Sequence, residues 1–271
     1  MSHTFIMTVL VPYVATTALY LYYFSAQSRS AEKAGLALLA VGFTAHTALL
    51  IGSYITLGRF PVIDLKESLC FFSWSLVALY LIVRLRTPSG ALGVFVGPLA
   101  TGFFIAACSI TSPDRAPDAR FMTALFPVHI LFAFLGHAAF AFAGGSSIMY
   151  LLQERGLKEH RPGPFLRRLP SLQQLDAMNY HSLTVGFFML SLGIFTGALW
   201  LHNVEGRFLK WDPKVLASVV TWLLYAVIMH TRLIVGWRGR RTAILSIIGF
   251  CCVLLTFLGM GLIKPGFHNF L

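Results

Sequence analysis

The sequence has few charged residues and very few acidic ones. Of its 271 residues only 10 are Asp or Glu and 21 are Lys or Arg, so charged residues make up 11% of the chain. Hydrophobic residues make up 57%, and the mean hydropathy of +0.75 is far above that of a soluble domain. So little polar surface cannot cover a globule of this size. The composition therefore excludes an ordinary soluble enzyme.

Cysteine is also scarce, and its placement excludes common thiol chemistry. Cys70, Cys108, Cys251 and Cys252 lie within or at the edge of apolar runs, and no two of them have CxxC or metal-site spacing. A thiol oxidoreductase is therefore not expected. The sequence also shows no Ser-His-Asp arrangement, phosphate loop or carboxylate pair. These absences favour a protein that binds or transfers a ligand over an enzyme that makes or breaks covalent bonds.

What the sequence does contain is a series of long apolar runs. An α-helix needs about 20 apolar residues to cross the hydrocarbon core of a bilayer. The runs predict eight membrane spans, at 4–24, 34–55, 68–83, 91–108, 128–151, 182–200, 214–231 and 242–262. The predicted fold is therefore an all-α integral membrane protein, a bundle of eight transmembrane helices forming a single domain over 1–271.

Small residues at helical spacing predict close helix packing in two of these spans. The four-residue spacing in span 5 runs through Ala133, His137, Ala141 and Gly145. In span 6 it joins Gly193 and Gly197. Small side chains at such spacing let helix backbones approach closely in lipid. No repeat of 20–50 residues is visible, so an inverted-repeat transporter has no direct support.

The basic residues predict the topology. The connectors after spans 1, 3, 5 and 7 carry 13 of the 21 Lys and Arg residues. The positive-inside rule places these connectors in the cytoplasm and both termini on the extracytoplasmic side. The net charge of +11 is then a topology signal. We expect the cytoplasmic Arg clusters to contact anionic lipids, and we expect no nucleic acid partner.

On this topology two histidines lie on the outer face. His129 opens span 5 and His268 follows span 8. The loop between spans 6 and 7 lies on the same face and, with the residue before it, carries Trp200, Trp211, Asp212 and Lys214. Imidazole nitrogens, flat aromatic surface and cations are what haem requires for its iron, its ring and its propionates. Surface histidines and interfacial tryptophans are also common in membrane proteins. On these residues alone, a haem site is therefore one of two interpretations.

Three further histidines belong to the spans themselves. His46 in span 2 and His137 in span 5 come at similar depth in the outer half of the membrane and could pair. His230 marks the inner end of span 7, where snorkelling or helix capping is the alternative explanation. Ionisable side chains at such depths tend to face a partner, a cavity or a ligand. These histidines are therefore candidate ligand-binding residues.

A specific string of motifs runs from Asn179 to Arg241. It comprises Gly186-Phe187, Leu192-Gly193-Ile194, Thr196-Gly197, Trp200, Trp211-Asp212-Pro213-Lys214, Thr221-Trp222-Leu223-Leu224-Tyr225-Ala226 and His230-Thr231-Arg232. This string resembles the cytochrome c assembly family, the CcsA/CcmC-type haem-handling membrane proteins, and within it the HemX-like and YpjD-like branch. An upstream block from Gly58 to Trp74 extends the similarity over most of the chain.

The resemblance implies a haem site with assigned residues. In that family a tryptophan-rich outer motif forms a haem platform flanked by two outer histidines, which His129 and His268 match here. A membrane histidine follows the motif, and His230 matches it. The implied cofactor is haem b, the implied partners are other cytochrome c biogenesis membrane proteins, and the implied location is the bacterial inner membrane.

Three classes of function follow for testing. The leading hypothesis is a haem-binding membrane protein that holds or transfers haem in cytochrome c biogenesis. The alternative is a HemX-like regulator of haem biosynthesis, acting on a cytoplasmic partner through the loop 153–180 and the cluster from Trp237 to Arg241. A small-solute transporter is disfavoured because no Asp, Glu, Lys or Arg lies near the middle of any predicted span.

Overall fold

The structure, a computed structural model, describes residues 3–86, 90–111, 119–159, 168–211 and 213–255, with all their side chains except those of 3–5, 86, 119 and 214. Over these ranges the chain forms α-helices and no strand. The helices are α1 (His3–Ala26), α2 (Arg29–Leu57), α3 (Leu65–Arg86), α4 (Gly93–Ser109), α5 (Leu125–Lys158), α6 (Leu172–Glu205), α7 (Pro213–Leu233) and α8 (Arg240–Leu254). A short 3₁₀ turn, Ala119–Met122, precedes α5.

Each predicted span coincides with one helix, and the all-α fold is confirmed. Within the described ranges, six helices are long and apolar enough to cross a membrane: α1, α2, α3, α5, α6 and α7. Helix α4 is apolar but has 17 residues, and the described part of α8 has 15. The chain is a multi-pass membrane protein. The expected side of the termini stays a prediction.

The longest helices extend past the apolar runs that predicted them. Helices α5 and α6 have 34 residues each, about 51 Å at 1.5 Å per residue, against a hydrocarbon core of about 30 Å. A capping box of Ser171 and Gln174 begins α6, and Gly206 at φ +71° ends it. In the segment 153–180, expected to be a loop, the described residues 153–158 and 172–180 are helical. Polar residues continue a helix beyond the hydrocarbon core, which an apolar run cannot reveal.

The chain divides into two compact units, unit 1 (Met1–Met122) and unit 2 (Thr123–Leu271). In unit 1, α1 packs against α2 and α4, and α3 packs against α4 and α2. The ring of Tyr13 lies so close to Gly42 that a Cβ there would be 2.8 Å from it. The Tyr80 hydroxyl donates to the Tyr20 hydroxyl over 2.9 Å. The single domain expected over 1–271 stays a prediction.

In unit 2, α5 packs along α6 and α8, while α7 contacts α6 and α8. The α5 and α6 backbones nearly touch, since a Cβ on Gly136 would lie 2.9 Å from the Leu190 nitrogen. A Cβ on Gly193 would lie 3.0 Å from the Ala133 nitrogen. The close approach predicted from small residues is thus confirmed for Ala133 and Gly193. This approach brings a carbonyl of α6 within reach of side chains on α5.

Candidate functional site

His129 lies in the second turn of α5 and is oriented by a carbonyl of α6. Its Nδ1 is 2.7 Å from the Gly193 oxygen. A carbonyl oxygen only accepts hydrogen bonds, so Nδ1 must be the donor. In the neutral ring the lone pair is then on Nε2, the nitrogen that can bind a metal. Metal-binding histidines almost always donate their other ring N–H to such an acceptor.

Three residues of α6 form the surface on which this ring rests, and we call Gly193, Gly197 and Trp200 the His129 seat. A Cβ on Gly197 would lie 2.8 Å from two atoms of the His129 ring. The Trp200 ring is parallel to the imidazole, with an interplanar angle of 2° and centroids 6.3 Å apart. Any side chain at Gly197 would therefore displace the imidazole.

The two tryptophans that the sequence placed together differ in exposure. Trp200 is 2% exposed and packs between His129 and Phe126, whose centroid is 5.2 Å away. It supports the histidine and has no exposed face for a ligand. Trp211 is 70% exposed, so its ring is accessible to a planar ligand. Of the pair, Trp211 is the one able to stack on haem.

The cations of the 206–211 loop gather around one carboxylate. Lys210 Nζ is 3.2 Å from Glu205 Oε1, and Arg207 Nε is 3.5 Å from Glu205 Oε2. Two cations thus lie close to one carboxylate, and they belong to the loop that carries Trp211. Arg and Lys side chains suit a ligand that carries carboxylates. Glu205 was not among the residues selected from the sequence.

Several predicted site residues cannot be placed. His268 and Asp212 lie outside the described residues, as does the side chain of Lys214. His202 is exposed and its ring stacks on Phe208, with centroids 4.1 Å apart and planes 13° apart. The structure brings two of the predicted outer-site residues together, His129 and Trp200, and it places Trp211 on the loop that follows α6.

His137 follows His129 two turns later on α5. Its ring is 6% exposed, and its Nδ1 lies 2.6 Å from the Ala133 oxygen of the preceding turn. Nδ1 is again the donor to a carbonyl, which places the lone pair of the neutral ring on Nε2. His137 thus has the same tautomer as His129, but it is deeper within unit 2.

His46 in unit 1 has a different environment. The side chain is 0% exposed. Its Nδ1 is 3.1 Å from the Tyr13 hydroxyl and its Nε2 is 3.1 Å from Cys70 Sγ. Both ring nitrogens thus engage side chains of the same unit, and metal binding would require one of these bonds to break. The pairing of His46 with His137 stays a prediction, since the two residues belong to different units.

His230 lies in the last turn of α7 with its side chain exposed. Arg232, two residues later, is 8% exposed and is bonded within unit 2. Sequence reasoning selected His230 from its place at the end of span 7 and from the family resemblance, and it counted Arg232 in the topology signal and in the His230-Thr231-Arg232 motif, with no role of its own. The buried position of Arg232 could not be read from the run of basic residues that contains it.

Comparison with known proteins decides the family. Residues 62–268 match the family model described as Cytochrome C assembly protein. The chain belongs to this family. It is 30% identical over 279 residues to the cytochrome c biogenesis protein CcsA of Synechococcus sp. (strain CC9902), covering 93% of this chain and 91% of that protein. It is 30% identical over 259 residues to CcsA of Parasynechococcus marenigrum (strain WH8102), covering 86% and 85%.

A solved structure supplies the likeness of fold. The cytochrome c haem lyase CcmF matches with a TM-score of 0.66 at 16% identity, over 94% of this chain and 48% of that one. The chain thus spans about half of that protein. The family predicted from the motifs is confirmed, and the match from residue 62 agrees with a resemblance that begins near Gly58. The HemX-like branch gains no support from these relatives.

Proposed function

We propose that this protein binds haem b through His129 and transfers it during cytochrome c biogenesis in the bacterial inner membrane. The observation that carries the proposal is the bond from His129 Nδ1 to the Gly193 oxygen. It orients the ring and leaves the lone pair of the neutral imidazole on Nε2, the nitrogen that would bind the iron. Membership of the cytochrome c assembly family and similarity to proteins named CcsA support the same role.

The donor set at this end of unit 2 fits haem. His129 provides an imidazole nitrogen, Trp211 an exposed aromatic ring, and Arg207 and Lys210 two cations that lie close to Glu205. Haem, when bound, would supply an iron for His129 to ligate, and a ring and propionates for the loop to hold. Asp212 and Lys214 extend the same loop in sequence. His129 and the loop hold and orient the ligand, and no covalent chemistry is assigned to them.

His268 is proposed as the second axial ligand. The family resemblance pairs it with His129, and the sequence places both on the outer face. Transfer requires one ligand to exchange, and we assign that role to His268, which follows the last predicted span in the sequence. His230 and His137 are secondary candidates for a deeper site, whereas His46, predicted with them, has both ring nitrogens bonded within unit 1.

The absorption spectrum of the purified, reduced protein tests this proposal. We expect His129→Ala and His268→Ala each to broaden or abolish the reduced α-band, and the double variant to resemble either single one. Added imidazole should restore part of the band by filling the vacant axial position. His202→Ala is the matched control. His202 lies in the last turn of α6, next to the same loop, but its ring stacks on Phe208. An unchanged band in both single variants would contradict the proposal.

A genetic experiment tests transfer separately from binding. We expect deletion of the gene to lower holo-cytochrome c, and the His129→Ala allele to reproduce this loss while its protein still accumulates in the membrane. Normal holo-cytochrome c with altered early haem precursors would contradict transfer. That result would point to a regulator that contacts a cytoplasmic partner.

A further inference from the structure

Helix α7 has one buried face, and Arg232 lies on that face near the end of the helix. Thr221, Tyr225 and Met229 are buried in unit 2. Arg232 follows at the same helical spacing and is also buried. Residues three or four apart lie on one side of a helix. The guanidinium therefore extends the packed face of α7 beyond Met229.

The guanidinium is held by the first turns of α6. Nη2 donates to Asp176 Oδ2 over 2.7 Å and to the Asp176 backbone oxygen over 3.0 Å, and Nη1 donates to Asp176 Oδ1 over 3.2 Å. Nη1 also lies 3.3 Å from Asn179 Oδ1, and the guanidinium carbon lies 5.0 Å from the centre of the Tyr180 ring. We call Asp176, Asn179 and Arg232 the Arg232 anchor. A bidentate pairing of a guanidinium with a carboxylate fixes the orientation of the two groups as well as their distance.

The anchor is joined to the other two helices of unit 2. Asn179 Nδ2 donates to the Ala143 oxygen over 3.2 Å and to Ser147 Oγ over 2.8 Å on α5. It also lies 2.9 Å from Ser246 Oγ on α8. The end of α7 is thereby bonded, through Asn179, to α5, α6 and α8. Interhelical polar bonds of this kind add to van der Waals packing in lipid.

The connector after α7 is fixed at the same point. The Gly239 backbone N–H donates to Asp176 Oδ1 over 3.0 Å. Gly239 has φ +66°, and a Cβ there would lie 2.7 Å from the Tyr150 hydroxyl. Only glycine fits both the backbone conformation and the space. Asp176 therefore restrains α7 on one side of the connector and the start of α8 on the other.

The anchor has a consequence for His230. Two residues correspond to about 200° around a helix, so a buried Arg232 places His230 on the opposite side. His230 is exposed there, between the exposed apolar residues Val227 and Ile234. An imidazole on an apolar face in lipid is costly unless it meets a partner or a ligand. Without a restraint, rotation of α7 would relieve this cost by turning His230 inward.

We propose that Arg232, held by Asp176 and Asn179, is a positioning residue that fixes the rotation of α7 and keeps His230 facing out of unit 2. This inference rests on the proposed function and deepens it, because it concerns the presentation of a histidine that the proposal names as a secondary candidate for binding haem. The orientation of α7 itself is measurable without haem. The two proposals can therefore fail independently.

Thiol labelling of the full chain in detergent tests the orientation. In a background with the four native cysteines replaced by alanine, single cysteines are placed at His230, at its buried neighbour Met229 and at Ala139, buried in α5. With Arg232 present we expect position 230 to react with a maleimide and position 229 to be protected. Arg232→Met should reduce this contrast severalfold, while position 139 stays protected.

Two further variants test whether the effect is specific to the Arg232 side chain. Arg232→Lys keeps the charge but not the planar pairing, so we expect an intermediate contrast. Arg238→Met is the matched control, because Arg238 is exposed in the same connector, and we expect the full contrast. An unchanged contrast in Arg232→Met would overturn the proposal. If that variant exposes position 139, the same measurement on Arg232→Gln decides, and an unchanged contrast there overturns the proposal.

The haem content of Arg232→Met with His230 intact separates the two proposals. A lost contrast together with lower haem content supports both the positioning role and the place of His230 in the haem site. A lost contrast with unchanged haem content supports the positioning role and removes His230 from the haem site.

Discussion

His46 in unit 1 and His129 in unit 2 are both histidines in apolar helices, but their environments differ. His46 is enclosed, with its ring nitrogens at hydrogen-bond distance from a phenol and a thiol. His129 is half-buried, and its Nδ1 donates to a backbone carbonyl. A carbonyl fixes one tautomer, whereas a hydroxyl or thiol can accept or donate. The comparison suggests a hypothesis for testing: the bonding partner, more than depth in the membrane, distinguishes a structural histidine from the histidine that we propose as a haem ligand.

The local packing around each histidine explains this difference. In unit 1, His46 on α2 meets polar side chains of two neighbouring helices, Tyr13 on α1 and Cys70 on α3. In unit 2 the α5 and α6 backbones approach at glycines, which exposes a carbonyl to a side chain of the facing helix. Close backbone contact thus creates the acceptor that His129 uses.

The largest expected effect is on the stability of unit 1. His46→Ala removes two buried hydrogen bonds and leaves a cavity, which should cost about 2–4 kcal/mol of unfolding free energy. We expect a lower midpoint of thermal unfolding in detergent, with an unchanged ratio of haem to folded protein. Thr44→Ala on the exposed face of α2 is the control and should keep the midpoint. A lost α-band in folded His46→Ala protein would instead assign the haem to unit 1.

A smaller effect is expected at the His129 seat. Gly197→Ala places a Cβ within 2.8 Å of the His129 ring and should turn the imidazole away from the Gly193 oxygen. Loss of an orienting contact of this kind typically weakens metal affinity by about tenfold or more. Haem titration of the purified protein measures this change. Gly102→Ala is the matched control, because a Cβ there meets nothing within 4 Å. Equal haem affinity in the two variants would contradict the proposal that the His129 seat orients the imidazole for haem binding.

The smallest effect concerns Trp211. Stacking on one exposed aromatic ring contributes about 1 kcal/mol, so Trp211→Ala should weaken haem binding by about fivefold. The same titration measures it, and Trp237→Ala, which removes a half-buried tryptophan beside Arg241, should leave the affinity unchanged. If Trp237→Ala lowered the affinity and Trp211→Ala did not, the ligand surface would have to be reassigned to the α7–α8 connector.

The sequence was sufficient for the helices but not for their ends or contacts. Apolar length locates all eight helices, because burial in lipid demands it, while polar residues extend α5 and α6 without an apolar signal. His129 was selected by its position and by resemblance. Its seat was not, because the contact with Gly193 joins residues 64 apart and depends on the register of α5 against α6. The partners of His46, Tyr13 and Cys70, are 33 and 24 residues away and on other helices, so depth alone grouped His46 with His137.

The most direct test of the central claim compares the reduced absorption spectra of His129→Ala and His46→Ala, purified side by side and normalised to folded protein. The account predicts that His129→Ala loses or broadens the α-band and recovers part of it with imidazole, while His46→Ala keeps the wild-type band at its lower stability. An intact band in His129→Ala together with a lost band in His46→Ala would contradict the account and place the haem ligand in unit 1.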